Sequence, residues 1–359
     1  MKAPDYIRRL KPYTPGKPIE ELEREHGIAG SIKLASNENP IGASPKALQA
    51  IAGALQNLHR YPDANGHYLR NRLAEKLNVP VNSIVLGNGS NEIIELLVRA
   101  FLEKGDEVIM PEPSFLMYEI MVQAGGGEPI KVGLKDLVLD LEGMASKISS
   151  RTRMVFVNNP NNPTGTIVSR DDFEAFLQQV PPDVIVVVDE AYIEFVRDKA
   201  CPVGLNYLEG DKIVVTLRTF SKTYGLAGLR IGYGVMKQEM ADLVNRVRQP
   251  FNTNLLGQIA ALAALDDDAF LEETLSTVHK GLDFLYQEVE KLGLRYFPTE
   301  ANFFLIDVKQ DAKGVFERLL RHGVIVRSMA AYGYPEYVRV TVGLPQENQR
   351  FIDALKQVV

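Results

Sequence analysis

The sequence predicts an α/β protein: a mainly parallel central sheet with helices on both faces, followed by a smaller α+β domain. Short β-branched runs alternate with stretches of helical spacing as far as about Leu265. From about Leu271 that alternation gives way to one long helical stretch and then a few strand-like runs. A length of 359 residues also suits roughly two domains.

Taken in order, the Pro-rich first forty residues carry no sheet pattern, and residues 1–35 are expected to pack as an arm on the small domain. Residues 36–265 form the large domain. Within it Ser83 to Leu86, Glu107 to Met110, Met154 to Val157, Val184 to Val188 and Ile213 to Leu217 read as buried strands, with Ile231 to Met236 a further one. Ser90 to Glu103, Arg170 to Gln178 and Gln238 to Arg248 have helical spacing between them. Residues 266–359 form the small domain, with helices at Leu271 to Lys291 and Ala312 to His322 and strands at Asn302 to Val308 and Val338 to Val342.

Composition narrows the function. The chain is 45% hydrophobic and 24% charged, with mean hydropathy −0.09, as in an ordinary globular protein. A formal charge of −6 and a pI near 5.6 argue against nucleic acid as a partner. Cys201 is the sole cysteine, which excludes an intrachain disulfide and a cysteine-based metal cluster. The histidines (His26, His59, His67, His279, His322) lack ligand spacing, so no metal is expected. Apolar runs such as Val184 to Val188 are far too short for a membrane span, and no signal-peptide pattern opens the chain. The expected location is the cytoplasm.

The segment TFSKTYGLAGLRIG, from Thr219 to Gly232, is the most informative. A lysine attacks a carbonyl only as the neutral amine, and so needs surroundings that disfavour the ammonium. No Asp or Glu occurs between Asp211 and Glu239, whereas Lys212, Arg218, Arg230 and Lys237 do. Cationic neighbours lower an amine pKa and attract a phosphate. Lys222 beside the small residues Thr219, Ser221, Gly225 and Gly228 therefore suits a phosphorylated aldehyde cofactor.

Ligands of open α/β sheets bind at the carboxyl ends of strands, and the remaining candidates cluster there. Asp189 follows an apolar strand, either to pair with a protonated ring nitrogen or to cap the next helix. Tyr192 lies three residues on. Asn162 lies in the turn-rich NNPNNPTG after another strand. Gly89, Ser90 and Asn91 open a helix whose N-terminus suits a phosphate. Gly87 and Gly89 also begin a dinucleotide-type GxGxxG, but Glu92 occupies the third glycine's place. Arg339, on the alternating run VRVTV, and Arg327, in GVIVRSM, would together suit a dianion and would also accept a carboxylate.

Together these motifs resemble the fold-type I pyridoxal-phosphate aminotransferases, and within them the histidinol-phosphate aminotransferases. The likeness runs nearly end to end, from LASNENPIG at Leu34 to VGLPQEN near the C-terminus. It implies that Lys222 is the Schiff-base lysine and Asp189 the pyridinium partner. Tyr192 and Asn162 would contact the cofactor's phenolic oxygen, and Tyr118 would stack on its ring. Gly89, Ser90, Asn91, Thr219, Ser221 and Arg230 would hold the cofactor phosphate, with Tyr61 reaching over from the second subunit of a homodimer. Arg339 and Arg327 would receive the substrate's phosphate, helped by Tyr13 and Asn37. The reaction so implied is transamination between L-histidinol phosphate, as amino donor, and 2-oxoglutarate, as 2-oxo acid acceptor. Two alternatives share the fold: an aromatic amino-acid aminotransferase, and a decarboxylase of a phosphorylated amino acid. A cofactor-binding regulatory module is a rival from another class.

Overall fold

A computed structural model describes residues 2–12 and 18–359. In chain order its strands are β1 (Ile32–Lys33), β2 (Ile84–Gly87), β3 (Glu107–Glu112), β4 (Glu128–Gly133), β5 (Thr152–Asn158), β6 (Ile185–Asp189), β7 (Ile213–Thr219), β8 (Gly232–Val235), β9 (Arg295–Phe297), β10 (Phe303–Asp307), β11 (Val324–Ile325), β12 (Arg327–Ser328) and β13 (Tyr337–Thr341). Seven of them form one sheet in the order β2-β8-β7-β6-β5-β3-β4. Neighbours from β4 through to β7 are parallel, and only β8 runs against its two partners. The fold is α/β with a mainly parallel sheet, as the β-branched runs imply.

Strand side chains alternate between faces, so a strand buried on both sides must be apolar throughout. In β5, Met154 and Phe156 join the core formed with the helices Ser90–Phe101 and Gln238–Val247. Val155 and Val157 face the opposite core, against Phe173 and Phe176 of the helix Arg170–Gln179. Each such side chain contributes roughly 1.5–3 kcal/mol by leaving water. The sheet is therefore held rigidly from both sides, which fixes where its carboxyl ends lie.

The second sheet is antiparallel, in the order β12-β13-β10-β9. The long helix Asp268–Lys291 and the C-terminal helix Pro345–Val358 pack on it through Leu282, Leu285, Phe351 and Leu355.

The structure departs from the sequence reading at four points. β4 went unread because EPIKVG mixes Pro, Lys, Glu and Gly, a composition tolerated at a sheet edge, where β4 lies with β3 as its one partner. The arm does contain a strand: β1 pairs in parallel with β11. The arm also divides. Leu22 and Ala35 bury against Leu320 of the helix Ala312–Arg321 and Ile325 of β11, whereas the short helix Asp5–Arg8 lies beside the helix Met117–Ala124, which packs on the large sheet. Finally, β2 is an edge strand antiparallel to its one neighbour. A dinucleotide fold needs a central parallel strand ahead of its glycine turn, so that rival loses its scaffold.

Candidate active site

The carboxyl ends of β5, β6 and β7 lie side by side, with Asn158 opposite Asp189 and Asp189 opposite Leu217. They open on a cavity of about 240 Å³ bordered by Asp189, Lys222, Asn162, Arg230, Arg327 and Arg339. Asn37, Ser90, Asn91, Tyr192, Thr219 and Ser221 border it too.

Lys222 leaves the sheet on a tight turn. The amide of Gly225 donates to the Lys222 carbonyl at 3.1 Å, and Gly225 has φ +68°. A Cβ there would lie 1.8 Å from the carbonyl oxygen of Gly42, so only glycine fits. The Lys222 Nζ donates to the Ser36 carbonyl at 3.2 Å and lies 5.7 Å from the centre of the Tyr192 ring. Burial lowers its pKa to about 8; Arg339 and Arg230 push the same way, while Glu38 and Asp189 oppose them. The sequence assigned this effect to local cations. Of those, Arg218 is instead neutralised by the buried Glu190 at 2.8 Å, and the leading cation is Arg339 from the other sheet.

Asp189 ends β6 and is 3% exposed. Its Oδ2 accepts from the Tyr118 hydroxyl at 2.7 Å, while Oδ1 is buried without a hydrogen-bond partner. Burial raises its pKa to about 6, held down chiefly by that Tyr118 bond and then by the Ala191 amide. An orphaned buried carboxylate oxygen is costly unless a donor arrives. A protonated ring nitrogen is such a donor. Asp189 caps no helix: the turn Ile193–Phe195 after it starts from Tyr192.

Tyr118 corrects the sequence reading. Its ring is fully buried, stacked on Phe156 with centroids 4.3 Å apart and planes at 6°. It does not border the cavity and cannot stack on a ligand there. The aromatic side chain that does is Phe115, which meets the Tyr118 ring edge-to-face at 5.6 Å. Both aromatics fall in PSFLMYE, and the helix that starts at Met117 turns the second one inward.

The anion end is built from backbone. Gly89, with φ +77°, caps the helix that begins at Ser90, whose first amides lack intrahelical acceptors. A Cβ on Gly89 would lie 2.5 Å from the Arg230 Nη2, and one on Gly232 would lie 2.6 Å from the Ser90 nitrogen. The Arg230 Nη1 donates to the Ser221 Oγ at 3.4 Å. Glu92 turns away and accepts from the Asn88 amide and the Asn252 side chain, each at 2.6 Å. Guanidinium, hydroxyls and helix amides thus converge on one spot, as a phosphate requires.

Opposite lie the two small-sheet arginines. Arg327 and Arg339 are direct partners across β12 and β13, and so share a face. Arg339 is 6% exposed, donates to the Asn162 Oδ1 and to the Ala35 carbonyl (2.7 Å), and lies over the Phe303 ring. Tyr332 and Glu38, absent from the sequence-based set, also border the cavity; Glu38 lies within the LASNENPIG motif, whereas no charge or spacing signal marks Tyr332.

Asn37 holds Tyr192 by donating from Nδ2 to its hydroxyl at 2.9 Å, and its Oδ1 accepts from Thr341 at 3.0 Å. One amide hydrogen remains for a ligand. Tyr61 does not border its own chain's cavity; it is 81% exposed and stacked on Phe251. Tyr13 lies outside the described residues. Among the described residues no group of His, Cys, Asp or Glu is arranged to hold a metal, and no helix is long and apolar enough to cross a membrane.

The arrangement offers a neutral-prone amine, a carboxylate wanting a cationic donor, an anion cradle and a pair of arginines. These suit a phosphorylated pyridine aldehyde acting on an anionic amine. Comparison with known proteins agrees. Residues 29–355 match the family model described as aminotransferase class I and II. The chain is 48% identical to the histidinol-phosphate aminotransferase of Moorella thermoacetica, covering 100% of this chain and 93% of that protein. It is 49% identical to histidinol-phosphate aminotransferase 2 of Pseudomonas aeruginosa, covering 98% and 96%. The crystal structure of histidinol-phosphate aminotransferase from Sinorhizobium meliloti in complex with pyridoxal-5'-phosphate superposes with a TM-score of 0.90 at 29% identity, covering 98% of this chain and 96% of that one.

Proposed function

The chain belongs to the class I and II aminotransferases and, within them, to the histidinol-phosphate aminotransferases, and on that footing we propose that it exchanges the amino group of L-histidinol phosphate with 2-oxoglutarate in histidine biosynthesis. The products are imidazole-acetol phosphate and L-glutamate, and the cofactor is pyridoxal 5'-phosphate. One observation carries the reading: Lys222 and Asp189 border the same cavity from adjacent strand ends, facing the cross-strand arginines 327 and 339.

When bound, the cofactor supplies an electron-withdrawing ring that takes up charge left at the substrate's α-carbon. The protein's residues supply the rest. Asp189 holds the proton on the ring nitrogen. Gly89, Ser90, Asn91, Thr219, Ser221 and Arg230 grip the cofactor phosphate. Phe115, in place of Tyr118, covers the ring, and Tyr192 and Asn162 serve its phenolic oxygen. The Lys222 Nζ, whose pKa burial lowers to about 8, takes the proton from the donor's α-carbon and returns one to the acceptor's α-carbon in the reverse half. Arg339 and Arg327, with Asn37 and Tyr13, receive the donor's phosphate and then the acceptor's carboxylate. This double use accounts for one site serving two unlike anions.

We read the protein as a cytoplasmic homodimer whose Tyr61 completes the partner's site. Exposed Leu48, Leu55, Leu58 and Tyr68 supply the apolar surface such a contact needs. Residues 36–265 and 266–359 serve as its large and small domains. Mixing the pure holoenzyme with L-histidinol phosphate, L-phenylalanine or L-glutamate and following the cofactor spectrum tests the substrate. Faster conversion by L-phenylalanine than by L-histidinol phosphate, or carbon dioxide release without a keto acid, would overturn it.

A further inference from the structure

Tyr118 is left without its expected role, yet the structure invests heavily in it. Its ring is fixed on two sides, by Phe156 and edge-to-face by Phe115, and its amide donates to the Phe115 carbonyl at 3.1 Å. Its one polar atom reaches one carboxylate oxygen, Asp189 Oδ2, at 2.7 Å. A carboxylate is two-fold symmetric and free to turn about its last bond. Besides the backbone amide of Ala191, the one side-chain donor is a hydroxyl clamped by aromatic packing; it restrains that freedom and leaves Oδ1 as the uncommitted oxygen.

We infer that Tyr118 is the positioning residue of this site: its hydroxyl fixes the orientation and charge of Asp189, and its ring fixes the plane of Phe115. The inference rests on the aminotransferase reading and deepens it. Two further observations agree. Burial, reinforced by Asp189, raises the Tyr118 pKa well above that of a free phenol, so the hydroxyl remains a donor across the working pH range. The same bond is the first influence opposing the burial that would neutralise Asp189. A hydroxyl is thus present where a phenylalanine would pack equally well.

The test uses holoenzyme of the wild type, Y118F, D189N and the double variant, measuring pyridoxal phosphate affinity by equilibrium dialysis and kcat and KM for L-histidinol phosphate. Y118F is expected to lose on the order of tenfold in cofactor affinity and in kcat, with KM within about twofold of wild type. In the D189N background Y118F should change affinity by less than about twofold, because the group it acts through is gone. Tryptophan-free far-ultraviolet circular dichroism separates these effects from misfolding, and Y118H, which retains a donor, should recover part of the loss. Wild-type affinity in Y118F, or losses that add in full in the double variant, would overturn the inference alone. A wild-type protein that takes up no pyridoxal phosphate would overturn it together with the functional reading.

Discussion

Tyr61 and Phe251 stack with centroids 4.7 Å apart and planes at 21°, although the tyrosine is 81% exposed. Phe251 pays for this with φ +60°, a backbone region that bulky residues avoid. The pair keeps a tyrosine on the surface that does not border the cavity of its own chain. If Tyr61 serves the partner's site, inactive K222A and impaired Y61A chains should complement one another. Each mixed dimer then has one site with both groups intact, so refolded equimolar mixtures should recover about a quarter of wild-type activity. Recovery no greater than the average of the two parent variants would rule out the shared site.

Lys222→Ala should abolish turnover and remove the visible absorbance of lysine-bound cofactor, while dialysed pyridoxal phosphate still binds through the anion cradle. A variant that kept turnover would dismiss Lys222.

The lowered pKa of Lys222 sets a pH signature. The ammonium of the apoprotein loses its proton near 8 instead of 10.5, so the rate of pyridoxal phosphate uptake should rise with pH through about 8 and level off above about 9. A rate still climbing at pH 10 would contradict the burial argument.

Asp189 gives the opposite sign in stability. Its folded pKa, about 6, exceeds the model-peptide value of 3.8. Between these values the folded chain retains a proton that the unfolded chain has lost. Its contribution to stability therefore falls as pH rises through that window. D189N apoprotein should outlast wild type in urea at pH 7, by on the order of 3 kcal/mol, with the gap closing towards pH 4. An unchanged gap at both pH values would argue against a buried, titrating Asp189.

Arg339→Ala should weaken binding of both L-histidinol phosphate and 2-oxoglutarate by about 2–5 kcal/mol, because it leaves Arg327 and the ligand anion poorly matched. Arg339→Lys retains the charge but not the fork, and should recover only part of the loss. Equilibrium titration of each variant with each substrate decides the matter.

Much of this site is legible in the sequence because its chemistry follows β-branched runs. Asp189 ends one strand and Lys222 lies three residues beyond another, in a pattern that a buried parallel sheet explains, and parallel strands bring their ends together. The paired arginines are legible through the alternation of VRVTV, although their cross-strand register requires β12, which is only two residues long. The choice between Phe115 and Tyr118 is not legible: both are aromatic, three residues apart, and the start of one helix decides which faces inward. Nor is Arg339's influence on Lys222, which joins residues 117 positions apart across two sheets.

Arg339 stands on β13, yet its two terminal nitrogens are engaged by Asn162, which follows β5 of the seven-stranded sheet, and the backbone of Ala35. This guanidinium is therefore a latch joining three stretches of chain. Any anion arriving there competes with oxygen atoms that the protein already offers.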